Sequence, residues 1–201
     1  MKKVLIISYY FPPRPGIGSQ RPYGLAKYLP SFGWAPIVLT PKLPGKPPDG
    51  LEVIQTDYND IVASIKSVFG LNPERTLHEQ LGMVITKNYS HSTLKSKIIK
   101  LIREILIFPD EQKGWYKFAL KSAIEFLNKN RVDAIISSSY PVTAHLIAQR
   151  LKQKFGIPWV ADLRDLWTQH HYHDKYCLIK PLAIFEMIIG CQSILNTIGG
   201  G

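Results

Sequence analysis

Asp162, Arg164 and Asp165 stand together in the run IPWVADLRDLW (157–167), at the end of an apolar stretch. A guanidinium is a planar fork of N–H donors that suits a phosphate or a carboxylate. The two aspartates can orient that fork or accept hydrogen bonds from ligand hydroxyls, and Trp167 adds a flat apolar face. The same residues also read as an Asp–Arg network that ties a loop down, because such networks arise without catalysis. A second group lies in KVLIISYYFPPRPGIGSQRPYGLAKYL (3–29). Pro12, Pro13 and Pro15 can neither continue a sheet ladder nor sit inside a helix. Gly16 and Gly18 open backbone conformations closed to other residues and let a ligand come close. The free N–H groups of the helix that follows suit an anion such as a diphosphate or carboxylate. The spacing is not GxGxxG, so a dinucleotide fingerprint is not supported. A plain strand–turn–helix connection is the alternative.

The elements that position these residues follow from hydrophobic pattern. Val4–Ile7 is a continuous apolar run, as in a parallel strand covered on both faces. Strands are expected near 3–8, 36–40, 52–55, 133–138 and 158–162. Helices are expected near 19–30, 60–69, 93–107, 111–130, 142–155 and 180–191. The alternation predicts an α/β fold, a parallel sheet with helices on both faces. In such sheets ligands bind outside the carboxyl ends of the strands, so the two loops predict two walls of one cleft. Ser19 is expected to cap the first helix, with Pro22 in its first turn and Leu25, Ala26, Tyr28 and Leu29 on its inner face. The hydroxyls of Ser137, Ser138 and Ser139, followed by Tyr140 and Pro141, point toward the same edge or cap the next helix. No G-x-S-x-G elbow surrounds a serine, which argues against a hydrolase triad. Asp110 reads as the cap of the helix through Trp115, and His145 as a packed or surface side chain.

Composition bounds the function. With 201 residues, 45% hydrophobic and 20% charged, the chain suits one domain with a sizeable core. No uncharged apolar run reaches the length of a spanning helix, and MKKVLIIS reads as the first strand of a cytoplasmic protein rather than a leader. Cys177 and Cys191 read as free thiols in a reducing compartment. His170, His171, His173 and Asp174 form a loop cluster without the convergent geometry zinc needs, so no metal is expected. The net charge of +10 calls for an acidic partner, and no nucleic-acid module is recognisable. Basic residues concentrate in Thr93–Phe108, where Lys95, Lys97, Lys100 and Arg103 lie mostly opposite an apolar stripe. That segment reads as a surface helix, or as a helix meeting an anionic membrane.

Taken in order, several segments resemble glycosyltransferase family 4. They are KVLIISYYFPP with Gly16, Gly18, Arg21 and LAKYL; Pro109, Asp110 and Trp115; VDAIISSSYPVTAHLIA (132–148); and IPWVADLRDLW. FEMIIGCQSILNTI (185–198) is similar to that family's Glu-bearing helix and next strand. The resemblance implies a GT-B fold, two Rossmann-like domains across a cleft, and metal-independent, retaining transfer from a nucleotide-sugar donor, with no cofactor. It implies enzymes roughly twice as long, so 1–198 reads as a single Rossmann-like acceptor-side domain with the donor domain absent, and the glycines of 199–201 read as a flexible end. Gly16, Gly18 and Arg21 would meet the donor diphosphate. Asp162, Arg164 and Asp165 would serve the reacting centre, and Ser139, Tyr140, Trp167 and Asp110 the acceptor. Many relatives carry His-Asp where Arg164 and Asp165 fall, so no histidine role carries over to this loop. The implied acceptor is a glycan or a lipid-linked sugar of cell-envelope polysaccharide synthesis, reached from the cytoplasm or the inner face of the membrane. A non-catalytic binding domain that works with a separate donor-binding subunit is the other reading.

Overall fold

The computed structural model describes residues 1–42, 44–61, 63 and 109–163. Arg164, Asp165, Trp167, the loop histidines, both cysteines, Thr93–Phe108, the expected 93–107 and 180–191 helices and the terminal glycines lie outside the described residues. Of the expected 60–69 helix only the start is described, where the Asp60 carboxylate accepts from the Ala63 N–H at 2.8 Å.

Five parallel strands form one sheet: β1 (Lys2–Ile7), β2 (Trp34–Pro41), β3 (Glu52–Thr56), β4 (Ala134–Ser138) and β5 (Trp159–Asp162), in the spatial order β3-β2-β1-β4-β5. The chain winds outward from β1 through β2 to β3, then crosses back to β4 and β5. Right-handed crossovers on two opposite headings put the connecting helices on opposite faces. Accordingly α1 (Ile17–Tyr28) covers one face, and α2 (Tyr116–Leu127) and α3 (Thr143–Phe155) cover the other. This is the expected α/β, Rossmann-like architecture, and all five strands fall where the apolar runs put them.

The strand alternation divides the core. Leu5, Ile7, Ile37, Leu39 and Ile135 point toward α2 and α3, where Ala119, Ala123, Ala144 and Ala148 let the helix backbones approach. Ile6 and Val38 point the other way and meet Ala26 of α1 and Phe11. Each fully buried Leu or Ile contributes about 1.5–3 kcal/mol relative to exposure, so these two layers fix the register that aligns the strand ends.

The helix starts differ from expectation. α1 begins at Ile17, with Gly16 as its N-cap at φ 122°. Ser19 therefore lies inside the helix, and its hydroxyl donates to the Gly16 carbonyl at 2.8 Å instead of capping N–H groups. Pro22 falls in the second turn, not the first, and has no N–H to offer the Gly18 carbonyl. The buried positions are Ser19, Pro22 and Ala26, while Tyr28 is exposed. The expected 111–130 helix is split into a 3-10 turn, Glu111–Trp115, and α2.

Candidate functional site

At the carboxyl edge, β1 runs into Ser8–Pro13, whose Tyr9 and Phe11 are buried. Arg14 lies over the Tyr10 ring at 4.8 Å, and Gly18 packs against that ring. A side chain at Gly16 would meet nothing within 4 Å, so glycine is required there by its φ alone. This leaves the start of α1 open to a ligand.

Asp162 joins the two walls. Its Oδ1 accepts from Arg21 Nη2 of α1 at 2.6 Å, and its Oδ2 accepts from Ser138 Oγ at 2.9 Å. Its main-chain carbonyl accepts from the Ser139 N–H at 3.1 Å and the Ser139 Oγ at 3.2 Å. The Asp162 side chain is 11% exposed and that of Arg21 is 58% exposed. The guanidinium thus has one side on the carboxylate and the other toward solvent. The structure brings together Arg21, Asp162 and Ser139 of the expected site, with Gly16 as the N-cap and Gly18 in the first turn of the helix that carries Arg21.

The serine run does not present its hydroxyls to the cleft as expected. Ser137, Ser138 and Ser139 are all buried. Trp159 Nε1 donates to Ser137 Oγ at 2.7 Å, and the Ser137 hydroxyl in turn meets His145 Nδ1 at 2.6 Å. A hydroxyl can donate to Nδ1 or accept from it while still accepting from tryptophan, so either tautomer of a neutral imidazole satisfies this contact. Burial lowers the His145 pKa to about 4, and the nearby Asp162 charge pulls it back up. Nε2 is buried without a hydrogen-bond partner. This Ser–His contact is sealed beneath the cleft, with both residues fully buried, so it cannot act as a nucleophile–base pair on an external substrate.

Asp110 is spent on structure. Oδ1 accepts from Gln112 N at 3.0 Å and Thr143 Oγ1 at 2.8 Å, and Oδ2 accepts from Thr143 N at 2.8 Å. One carboxylate therefore caps the 3-10 turn and α3 together, and α3 is not capped by the serine loop. Burial raises the Asp110 pKa, and these hydrogen bonds oppose the rise. Tyr140 follows the buried serine run and is itself partly exposed. Its pKa is pushed up by burial, then by Asp110 and Glu111. Trp115 is buried and donates to Thr56 Oγ1 at 2.7 Å, anchoring the end of β3.

Sequence reasoning missed Ser138 as the partner of Asp162 and the whole Ser137–His145–Trp159 chain. The consecutive serines before a helix carrying His145 were the available signal. A groove of about 560 Å³ lies at the other end of the sheet, between Leu127–Asp133 and Phe155–Pro158, and contains none of the expected site residues. Among the described residues no group of three or more His, Cys, Asp or Glu could hold a metal ion, and no helix is long and apolar enough to cross a membrane.

No family model and no curated protein matches the chain. Among solved structures, it is similar to SsfS6, a glycosyltransferase of Streptomyces sp. SF2575, at 16% identity and a TM-score of 0.43. The likeness covers 81% of this chain and 39% of that one.

Proposed function

We propose that this chain is the acceptor-side lobe of a GT-B-type glycosyltransferase. In this reading it moves a sugar, with retention and without a metal, from a nucleotide-sugar donor to a glycan or lipid-linked acceptor. The observation that carries the reading is the Arg21–Asp162 contact at 2.6 Å. It unites, at the carboxyl edge where α/β sheets bind ligands, the two segments that resemble glycosyltransferase family 4. The N–H groups at the start of α1 and the solvent-facing side of Arg21 receive the donor diphosphate, and they stabilise the charge that develops on it as the sugar leaves. Asp162, with Arg164 and Asp165 beyond it, lies beside the reacting centre. Tyr140 and Trp167 border the acceptor, with Ser139 holding the edge through Asp162 and Asp110 holding the Tyr140 loop through α3. A second lobe grips the nucleotide, so the 201-residue chain binds diphosphates weakly and turns over no donor.

The test is titration of the chain with nucleoside diphosphates and nucleotide sugars by calorimetry, alongside a transfer assay. Binding should weaken in Arg21→Ala and Gly16→Val. Equal binding by wild type and both folded variants would remove the diphosphate site, and robust turnover by the chain alone would overturn the half-enzyme reading.

A further inference from the structure

In this topology the helices run antiparallel to the strands. The helix C-termini and strand amino ends therefore share the end of the molecule opposite Asp162. Around β1, β4 and β5 this end carries the exposed Lys2, Lys3, Lys129, Arg131 and Lys154, against Asp133 and Glu125. Asp133 is half-buried, and its carboxylate accepts from the Lys3 N–H at 2.7 Å. Basic residues at helix C-termini complement the helix dipole, which accounts for Lys129 and Lys154. It does not account for Lys2 and Lys3 at the start of a strand, or for Arg131 in a loop.

Apolar side chains stand exposed among these charges. Met1 is 80% exposed and Phe32 is 77% exposed. They are neighbours, because the Lys2 N–H donates to the Gly33 carbonyl at 3.2 Å and Lys2 pairs in register with Trp34. Lys2 Nζ lies 5.6 Å from the Trp34 ring, an aromatic–cation arrangement suited to a headgroup layer. The groove between the ends of α2 and α3 is lined by the half-buried Phe155 and Ile157 and the exposed Pro158, together with Lys129 and Arg131.

We infer that this amino-end face docks on an anionic lipid bilayer. Lys2, Lys3, Lys129 and Arg131 meet headgroup phosphates, while Met1 and Phe32 enter the headgroup–acyl boundary. Charge complementarity draws the face to the lipid, and the aliphatic and aromatic tips favour a bilayer over a purely ionic polymer. The opposite edge, with Arg21 and Asp162, then faces water, an orientation that favours the glycan over the lipid-linked acceptor. The residues that form this surface are not those of the Thr93–Phe108 segment, and the inference is independent of the proposed activity.

Co-sedimentation with vesicles of phosphatidylcholine, alone or mixed with phosphatidylglycerol, tests the inference. The chain should bind only the anionic vesicles, and less as salt rises. Each basic residue near an anionic surface is worth about fivefold in partitioning, so Lys2→Glu, Lys129→Glu and Arg131→Glu combined should reduce it at least about a hundredfold. Phe32→Ser should weaken vesicle binding but leave any binding to a short DNA duplex unchanged. Should the triple reversal not fold, as judged by circular dichroism, the corresponding triple glutamine variant makes the same test. Vesicle binding retained by a folded triple variant overturns the inference. So does loss of binding on reversing Lys97, Lys100 and Arg103 alone, or tighter binding to the duplex than to vesicles.

Discussion

Arg21→Ala and Asp162→Ala remove opposite ends of one contact, and their surroundings make the costs unequal. The Arg21 side chain is 58% exposed, so solvent screens its half of the pair and its removal should cost about 0–1 kcal/mol. Asp162 also accepts from Ser138. Without that carboxylate the buried Ser138 hydroxyl keeps only a 3.5 Å contact with the Ser139 carbonyl. Leaving a buried hydroxyl so poorly satisfied costs about 1–3 kcal/mol. Asp162→Ala should therefore lose about 2–3 kcal/mol, and melting should fall by roughly 4–12 °C for a chain of this size. Arg21→Ala should fall by no more than about 4 °C. Urea unfolding and thermal melts of both single variants and the double variant measure the costs and their coupling. Nucleoside diphosphate titration of the same preparations reads the function. If Asp162 competes with phosphate for the guanidinium, Asp162→Ala should bind diphosphate more tightly and Arg21→Ala more weakly. An Arg21→Ala variant less stable than Asp162→Ala would refute the assignment of Asp162 as the joint. Weaker diphosphate binding by a folded Asp162→Ala variant would refute the competition.

Three further outcomes follow from buried polar groups and backbone conformation. His145 has a folded pKa lowered to about 4, below the unfolded value, so the unfolded chain binds the extra proton first. Its contribution is present above about pH 6.5 and is lost as pH falls toward 4, by about 3 kcal/mol at most. Asp110, raised by burial, works in the opposite sense. The measurement is therefore the difference in pH-dependent melting between wild type and His145→Asn, in which Asp110 cancels, and identical profiles would contradict the buried neutral imidazole. Asp110→Asn puts an amide donor against the Thr143 N–H or the Gln112 N–H and should cost about 2–3 kcal/mol in urea unfolding; a neutral effect would dismiss the double cap. Gly16→Val should cost about 1–3 kcal/mol because φ is 122°. Gly24→Ala, inside α1 with open space at its Cβ, should stabilise by about 0.5–1 kcal/mol, and melting of the two variants in the same direction would contradict this backbone account.

The inner strands were legible in the sequence because a strand buried on both faces must be apolar almost throughout, as Val4–Ile7 is, and the edge strands β3 and β5, only partly buried, were legible from the short apolar runs they keep. The parallel α/β class followed from the alternation of those runs with helical spacing. The first helix was misjudged at its start because serine is a favoured cap and Pro22 favours a first turn, whereas the open φ of Gly16 let the helix begin earlier. The serine run was legible as a loop at the cleft but not in its direction, since which hydroxyl turns inward depends on Trp159 and His145 meeting Ser137 across neighbouring elements. Asp110 was recognisable as a cap, but its second helix starts 33 residues later at Thr143, and no local pattern encodes that partner. The contact of Arg21 with Asp162 has the same origin. Local pattern determined that each residue would stand near a strand end. Only the strand order β3-β2-β1-β4-β5, imposed by burial of both sheet faces, decided that the two side chains would meet.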